Sequence, residues 1–221
     1  MELLLRAFPI LATVVVGAAH AIAWRSASTL GSWGAFAIAF GALAALAVLL
    51  LRREEVLGES LRLVPGDVSR GIAGAVVAVL AVVGLGLLAV RAQPLRSFDE
   101  LRALIFVATR VPLEWQRALG LVGLAACSEL IFRGAVSVAL EGRLGSTKAP
   151  LAASALYVLA AVPSLRPSVV TATLVIGAVT GLLTSRLRRI TPAIVAHAAF
   201  AWLAVEFVLP SLWQRLLVAP R

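Results

Sequence analysis

The sequence has little charge for its length. Charged residues make up only 14% of the 221 residues, whereas ordinary soluble domains contain about 25%. Hydrophobic residues make up 61%, and the mean hydropathy is +1.00. A soluble fold with this composition would have too little polar surface to cover its core, and the apolar residues form long runs almost free of charge. The sequence therefore excludes a soluble protein and predicts one integral membrane domain over residues 1–221.

Cysteine and histidine are also scarce. Cys127 is the single cysteine, which excludes an intramolecular disulfide, and it is expected to be a small buried hydrophobe. The two histidines are His20 and His197, and no H-E-x-x-H motif is present. A zinc site would need both histidines and Glu129 to converge from three helices. The sequence gives no indication of a bound metal or cofactor.

Two further kinds of catalytic site lack the residues that they require. Asp67 and Asp99 are the only aspartates, and both fall in predicted loops. A protease that pairs two aspartates inside the membrane is therefore not expected. Ser128 with His197 could form a nucleophile–base pair. However, the sequence has no G-x-S-x-G turn and no second carboxylate to orient the histidine.

The apolar runs predict an all-α bundle of seven to eight transmembrane helices. Between Arg91 and Arg117, charged residues interrupt an apolar stretch too short to cross a bilayer. We therefore expect residues 98–109 to lie in the membrane interface as an anchoring helix, with a partner-binding helix as the alternative. The predicted spans are residues 7–24, 28–51, 71–90, 118–140, 150–163, 168–185 and 190–209. Gly142 and Gly145 are expected to end the fourth of these, 118–140.

The positive charge lies mainly between the apolar runs. The net charge is +9, but the arginines form no basic amphipathic face with interleaved aromatic residues, so nucleic-acid binding is not expected. With seven spans, the side of the N-terminus carries ten cations against four on the other side, once the interfacial segment is discounted. The positive-inside rule then predicts a cytoplasmic N-terminus and contacts with anionic lipid head groups.

One stretch combines both signs of charge inside an apolar run: S-E-L-I-F-R-G, residues 128–134. Glu129 and Arg133 lie four residues apart, so a helix would place them on one face as an ion pair. Each charge near the bilayer centre costs about 2.5–3.5 kcal/mol on insertion scales. Both side chains are therefore expected to face the bundle interior, where they mark a functional site or a structural ion pair.

This stretch resembles the first motif of the CPBP family, also called Abi proteins, which includes CAAX prenyl proteases and bacteriocin-processing proteins. That motif reads E-E-x-x-x-R-G, commonly with an aromatic residue just before the arginine, and residues 128–134 match it except at Ser128. The family's second motif is an aromatic residue followed four residues later by histidine. In S-A-L-Y-V-L-A-A, residues 154–161, Tyr157 fits the aromatic position and Ala161 takes the place of the histidine.

The last motif of that family is a histidine followed four residues later by asparagine. It comes after an apolar run, a short loop and a proline. The segment S-R-L-R-R-I-T-P-A-I-V-A-H-A-A-F-A, residues 185–201, is similar to this layout through Pro192 and His197. Ala201 stands in the place of the asparagine. The resemblance extends over residues 115–205, which are expected to form the CPBP-like core region.

The resemblance implies an intramembrane glutamic-type endopeptidase. In that family the first motif glutamate and the second motif histidine activate a water, and the last histidine and asparagine stabilise the oxyanion. Three of these four positions are Ser128, Ala161 and Ala201 here. Serine and alanine cannot act as the water-activating base, which must be a group with a free lone pair and a pKa near neutrality. Loss of one oxyanion donor alone typically reduces the rate about 10²- to 10³-fold.

The sequence therefore predicts a CPBP homologue with a degenerate active site, in a bacterial cytoplasmic membrane. The expected function is that of a pseudoprotease, which binds a membrane-embedded peptide segment or partners an active protease. Glu129, Arg133 and His197 are the site residues. Two alternatives stay open: an active endopeptidase that uses Glu129 and His197, and a small membrane transporter subunit whose intramembrane charges line a path.

Overall fold

The computed structural model describes residues 2–26, 29–93, 96, 99, 100, 102, 104 and 114–211. Within these residues the chain is helical and contains no β-strand, which confirms the predicted all-α class. The helices are α1 (Glu2–Arg25), α2 (Thr29–Arg53), α3 (Leu57–Ser60), α4 (Asp67–Ala92), α5 (Glu114–Glu129), α6 (Ser137–Ala161), α7 (Pro167–Leu187) and α8 (Thr191–Leu203), with two π-helices, π1 (Leu130–Val136) and π2 (Ala204–Val208).

Within the described part of the chain, six stretches of helix are long and apolar enough to cross a membrane, so the protein is an integral membrane protein. The stretch Trp115–Ser164 contains 50 residues. At 1.5 Å per residue it measures about 75 Å, more than twice the thickness of a bilayer core. It bends at Gly145, whose φ of 73° and ψ of 160° are not helical. The predicted spans 118–140 and 150–163 lie on the two sides of this bend.

Only the second of two neighbouring glycines leaves helical geometry at this bend. Gly142 and Gly145 were expected to end the fourth span, but Gly142 is helical and only Gly145 leaves the helical region. Glycine adopts positive φ without the steric penalty that a Cβ brings, so the chain turns there within one residue. Pro150 lies inside the same helix, α6.

The polar loop before α4 is shorter than predicted. Asp67 was expected in the loop, but it is the first residue of α4, directly after Gly66 in the left-handed region at φ 88°. The carboxylate of Asp67 is fully buried and accepts the backbone N–H of Val64 at 2.9 Å. It also accepts two hydrogen bonds from Arg189, at 2.8 and 3.2 Å. These bonds join the start of α4 to the turn before α8.

Small residues let α4 approach α8 closely. A Cβ added at Gly71 would lie 2.6 Å from Cβ of Val195 and 2.9 Å from the carbonyl oxygen of Pro192. Large apolar side chains face outward instead; Ile38 is 75% exposed and Leu80 is 65% exposed. In a bilayer these side chains contact lipid tails, so close packing of small residues holds the helices together.

Most of the predicted interfacial helix, residues 98–109, lies outside the described residues, as does the tail beyond Ser211. Residues 99, 100, 102 and 104 are helical. Glu100 forms an ion pair with Arg166 at 3.3 Å and accepts the hydroxyl of Ser168 at 2.6 Å. This segment therefore contacts the start of α7.

Candidate functional site

Helix α5 and helix π1 carry the first half of the site. Ser128 and Glu129 end α5, and Arg133 lies at the centre of the seven-residue π1. π-Helical turns within α-helices are rare and often occur at functional sites. The predicted ion pair is present: Nε of Arg133 lies 3.2 Å from Oε2 of Glu129, and both side chains are 0% exposed. Both charges are thus held in the bundle interior.

Helix α8 brings His197 to the other oxygen of the same carboxylate. Nδ1 of His197 lies 2.7 Å from Oε1 of Glu129. An ionised carboxylate only accepts hydrogen bonds, so Nδ1 carries a proton and donates a hydrogen bond to Glu129. The carboxylate therefore fixes both the tautomer and the orientation of the ring. Glu129 makes one contact with each of the two basic groups.

Ser128 lies beside the same imidazole nitrogen. Its hydroxyl donates to the carbonyl oxygen of Ala125 at 2.8 Å, and its Oγ lies 3.1 Å from Nδ1 of His197. The hydroxyl has one proton, which is directed at Ala125, so the 3.1 Å contact is the longer branch of a bifurcated hydrogen bond in which Nδ1–H donates mainly to Glu129 and more weakly to Oγ. In this arrangement His197 does not deprotonate Ser128. The geometry argues against the serine nucleophile that the sequence left conceivable.

Arg133 is held from a third side by α6 and α7. Its Nη2 donates to the carbonyl oxygen of Gly177 at 3.0 Å, and its guanidinium lies 5.1 Å from the centre of the Tyr157 ring. A Cβ at Gly177 would lie 3.5 Å from Nη2. Gly177 is not among the predicted site residues, although G-A-V-T-G at 177–181 is the small-residue spacing typical of close helix contacts.

The buried charges are not fully hydrogen-bonded among the described residues. Nε and Nη1 of Arg133 and Oε2 of Glu129 are buried and have no hydrogen-bond partner of good geometry. The Glu129–Arg133 contact is therefore mainly electrostatic. Buried polar atoms of this kind normally find a partner, and the one N–H group on Nε and the two on Nη1 of Arg133 remain able to donate.

Tyr157 lies beside both basic groups, whereas the side chains of Ala161 and Ala201 add no polar group to the cluster. The ring of Tyr157 lies 6.0 Å from the imidazole of His197. Ala161 is fully buried at the end of α6, and Ala201 follows one turn after His197 in α8. Neither methyl group can activate a water or donate to an oxyanion.

The structure does not bring His20 into this cluster. His20 packs its ring edgewise against Phe36 at 5.0 Å, between α1 and α2. Cys127 is a free, half-buried thiol on α5. Among the described residues there is no group of three histidine, cysteine or acidic side chains that could hold a metal ion.

Fold and site together define a class: a helical integral membrane protein with a buried glutamate that links a histidine and an arginine from different helices. A family model described as Type II CAAX prenyl endopeptidase Rce1-like matches residues 102–203, a little under half of the chain. Residues 102–203 are thus similar to the Rce1-like CAAX prenyl endopeptidases of the CPBP family, the family whose motifs the sequence resembles. No curated protein and no solved structure matches the chain significantly.

Proposed function

We propose that the protein is a pseudoprotease of the CPBP family, which binds a membrane-embedded peptide segment without cleaving it. The observation that carries this proposal is the burial of Glu129 between two basic groups. Its carboxylate is fully buried; Oε1 is hydrogen-bonded to His197, and Oε2 lies 3.2 Å from Nε of the Arg133 guanidinium without a hydrogen bond of good geometry. A water-activating carboxylate needs an accessible oxygen and a pKa near neutrality, whereas a neighbouring guanidinium favours the ionised, weakly basic form. Glu129 instead serves as the support of the imidazole.

The positions that the family resemblance assigns to water activation support the same conclusion. The hydroxyl of Ser128 donates to the carbonyl oxygen of Ala125, and the side chain of Ala161 has no polar atom. Neither residue supplies a base. The remaining polar groups of the cluster are suited to binding, because they are held rigidly by their neighbours.

His197 is the group that we expect to contact the ligand. Its Nδ1 is used by Glu129 and Ser128, and its side chain is 11% exposed. Nε2 makes no hydrogen bond with the described residues. In the neutral ring Nε2 accepts, for instance from a backbone N–H, and in the protonated ring it donates to a carbonyl. A peptide whose backbone is exposed inside the membrane offers both partners.

A second function is favoured by one contact, the 2.7 Å hydrogen bond between Glu129 and His197. In hydrolases with a carboxylate–histidine pair, the carboxylate orients the ring so that its other nitrogen acts as a general base. An active endopeptidase would use Nε2 of His197 in this way. It would lack the oxyanion donor of the family at Ala201, so its rate would be low.

Further aspects of the assignment are proposals of the same kind. We propose that residues 1–221 form one integral domain with a cytoplasmic N-terminus in a bacterial cytoplasmic membrane. An active protease of the same membrane is a candidate partner, because a binding homologue can share its substrate. Glu129, Arg133 and His197 are the residues proposed for the site.

Peptide binding and cleavage should be measured in the same sample. The purified protein in detergent micelles is titrated with a fluorescent transmembrane peptide and with a fluorescent peptide ending in a CAAX sequence, and the products are analysed by mass spectrometry. The proposal predicts saturable binding and no cleaved product. His197→Ala is expected to weaken binding about three- to tenfold, the effect of one lost hydrogen bond of about 1 kcal/mol.

Two comparisons make the result specific. Ser69→Ala is the matched control, because Ser69 is an exposed residue whose hydroxyl donates to the carbonyl oxygen of Gly66 far along the chain from the cluster. It should leave peptide binding unchanged. Cleavage by the native protein that disappears in His197→Ala would establish the endopeptidase, and binding unaffected by His197→Ala would refute the pseudoprotease site.

A further inference from the structure

A polar contact away from the cluster around His197 also joins helices α5 and α8. Arg117, near the start of α5, meets Glu206, just after the end of α8. Arg117 lies two residues after Trp115, where one membrane-spanning stretch begins. Glu206 lies five residues before Ser211, where another ends. The contact therefore lies near a membrane–water boundary, at one end of the helix pair.

The contact between Arg117 and Glu206 is a bidentate ion pair. Nε and Nη2 of Arg117 lie 2.7 and 3.0 Å from the two carboxylate oxygens of Glu206, an arrangement that fixes both distance and orientation. The two side chains are only 13% and 23% exposed, so water and salt screen the pair less than they screen an ordinary surface pair. Both carboxylate oxygens of Glu206 are used by this pair, which suits it to holding the two helices together and not to binding a ligand.

The π-helix at the end of α8 turns Glu206 toward α5. Glu206 follows His197 by nine residues, and in a regular helix with 3.6 residues per turn the two side chains would point about 180° apart. On α5, Arg117 and Glu129 are twelve residues apart, which corresponds to about 120°. Residues Ala204–Val208 form π2, whose wider turn advances each residue by a smaller angle. π2 thereby brings the angle on α8 closer to the angle on α5, so that both contacts form together.

The beginning of α8 is held by different neighbours. Arg189, two residues before α8, donates to the carboxylate of Asp67 at the start of α4. The backbone N–H of Ile190 donates to the carbonyl oxygen of Ser60 at 2.9 Å. These contacts fix the start of α8 on α3 and α4, but they do not hold its far end against α5. The ion pair at the far end supplies that restraint, and His197 lies between the two ends.

We propose that Glu206, through Arg117, is a positioning residue for His197. By holding the end of α8 against the start of α5, the ion pair sets the distance between Nδ1 of His197 and the carboxylate of Glu129, and with it the direction of Nε2. The part of this inference that concerns ligand binding rests on the proposed function, in which Nε2 contacts the peptide. The part that concerns the geometry of the imidazole is independent of that function.

The hydrogen bond of His197 responds to a small movement of α8. Nδ1 lies 2.7 Å from Oε1 of Glu129 and 3.1 Å from Oγ of Ser128, and N–H···O hydrogen bonds have donor–acceptor distances of about 2.7–3.2 Å. A shift of α8 by about 0.5 Å would lengthen the Glu129 contact to the limit of this range. A measurement of the Nδ1–H hydrogen bond therefore reports where α8 lies relative to α5.

Nuclear magnetic resonance of protein labelled at its histidines, in micelles, gives a direct test. The chain has two histidines, and His20, which packs against Phe36 between α1 and α2, is an internal control. His197→Ala assigns the two sets of signals. Glu206→Gln is expected to move the Nδ1 proton signal of His197 upfield, because its hydrogen bond to the carboxylate weakens, and to leave the ring signals of His20 unchanged.

Two further variants make the result specific. Glu100→Gln is the matched control, because Glu100 also forms a long-range ion pair, with Arg166 at 3.3 Å, but at the start of α7. It should leave both histidine signals unchanged. Glu206→Asp keeps the charge but shortens the side chain by one methylene, so it loses the bidentate contact. It should move the His197 signal in the same direction by a smaller amount, which keeps the test decisive if Glu206→Gln does not fold.

Peptide binding tests the consequence for the proposed ligand site. Glu206→Gln is expected to weaken binding of the fluorescent transmembrane peptide about two- to fivefold, the scale of an effect transmitted through a neighbouring residue. In the His197→Ala background the same change should have no further effect, because its action passes through the imidazole.

Three results would overturn the inference. The first is a His197 signal that stays at its native position in both Glu206 variants. The second is an equal displacement of the His20 and His197 signals by Glu206→Gln, which would indicate a general change of the fold. The third is a loss of peptide binding from Glu206→Gln that is as large in His197→Ala as in the native chain. Failure of the native chain to bind peptide would instead refute the proposed function, and the imidazole signals would still decide whether Glu206 positions His197.

Discussion

Nδ1 of His197 lies 2.7 Å from Oε1 of Glu129, while Oε2 of the same carboxylate lies 3.2 Å from Nε of Arg133. One fully buried carboxylate thus connects two helices and two basic groups. Removing such a carboxylate leaves an uncompensated buried guanidinium, which is far more destabilising than removing an exposed ion pair. The consequences for stability can be measured separately from any activity.

Glu129→Gln is expected to destabilise the protein by about 3–5 kcal/mol, because Arg133 then remains charged, buried and without its counter-ion. The measurement is unfolding in micelles, by denaturant or heat. Glu2→Gln is the matched control: Glu2 forms the same i,i+4 pair with Arg6, but both side chains are mostly exposed. The control should change stability by less than about 1 kcal/mol. Equal effects of the two variants would contradict this account of Glu129.

The double variant Glu129→Leu/Arg133→Met should be less destabilised than the sum of its single variants by about 1–3 kcal/mol. Each single change leaves one buried charge unpaired, whereas the double change removes both. The four proteins are compared by their unfolding midpoints in one detergent. Additive effects would mean that the 3.2 Å contact contributes nothing to the fold.

Gly71→Val is expected to destabilise the packing of α4 on α8 by about 1–3 kcal/mol, because its Cβ would lie 2.6 Å from Cβ of Val195. Gly84→Val is the matched control in the same helix, since no atom lies within 4 Å of the Cβ that it would add. The loss should appear in thermal unfolding for Gly71→Val alone. A similar loss in both variants would point to helix propensity instead of close contact.

The Asp67–Arg189 pair should tie α4 to α8. Asp67→Asn is expected to cost about 1–3 kcal/mol, the range for a buried charged hydrogen bond, whereas Glu59→Gln, at an exposed carboxylate, should have little effect. Faster proteolysis between α3 and α4 in Asp67→Asn alone would report the loosened loop. Identical protection of that loop in both variants would refute this role of Asp67.

The Asp67–Arg189 pair also predicts how the stability of the protein depends on pH through Arg189. The carboxylate of Asp67 raises the pKa of the Arg189 guanidinium above its usual range. A raised pKa of a base contributes stability that is complete below the unfolded pKa and is lost only as the pH rises through the folded value. Stability should therefore show no loss from Arg189 between about pH 6 and about pH 10. A loss in that range that disappears in Asp67→Asn would contradict it.

Local pattern predicted the fold class and the Glu129–Arg133 pair, because both follow from hydropathy and helical spacing. The 2.7 Å contact of Glu129 with His197 joins residues 68 positions apart, which spacing cannot predict. The carbonyl of Gly177 was also missed, since a backbone acceptor leaves no mark on residue type. The position of the bend at Gly145 could be predicted only to within three residues. A glycine indicates that a helix can end there, but the sequence does not show which of Gly142 and Gly145 ends it.

The central claim is that the chain keeps the support of a protease site without its water-activating groups. The most direct measurement compares cleavage of a CAAX-ended peptide by the native protein and by the triple variant Ser128→Glu/Ala161→His/Ala201→Asn, with product detected by mass spectrometry. The account predicts that the native protein binds the peptide without forming product and that the triple variant forms product. Adding Glu129→Gln to the triple variant should lower the amount of product only because it lowers the amount of folded protein. Turnover by the native protein would contradict it.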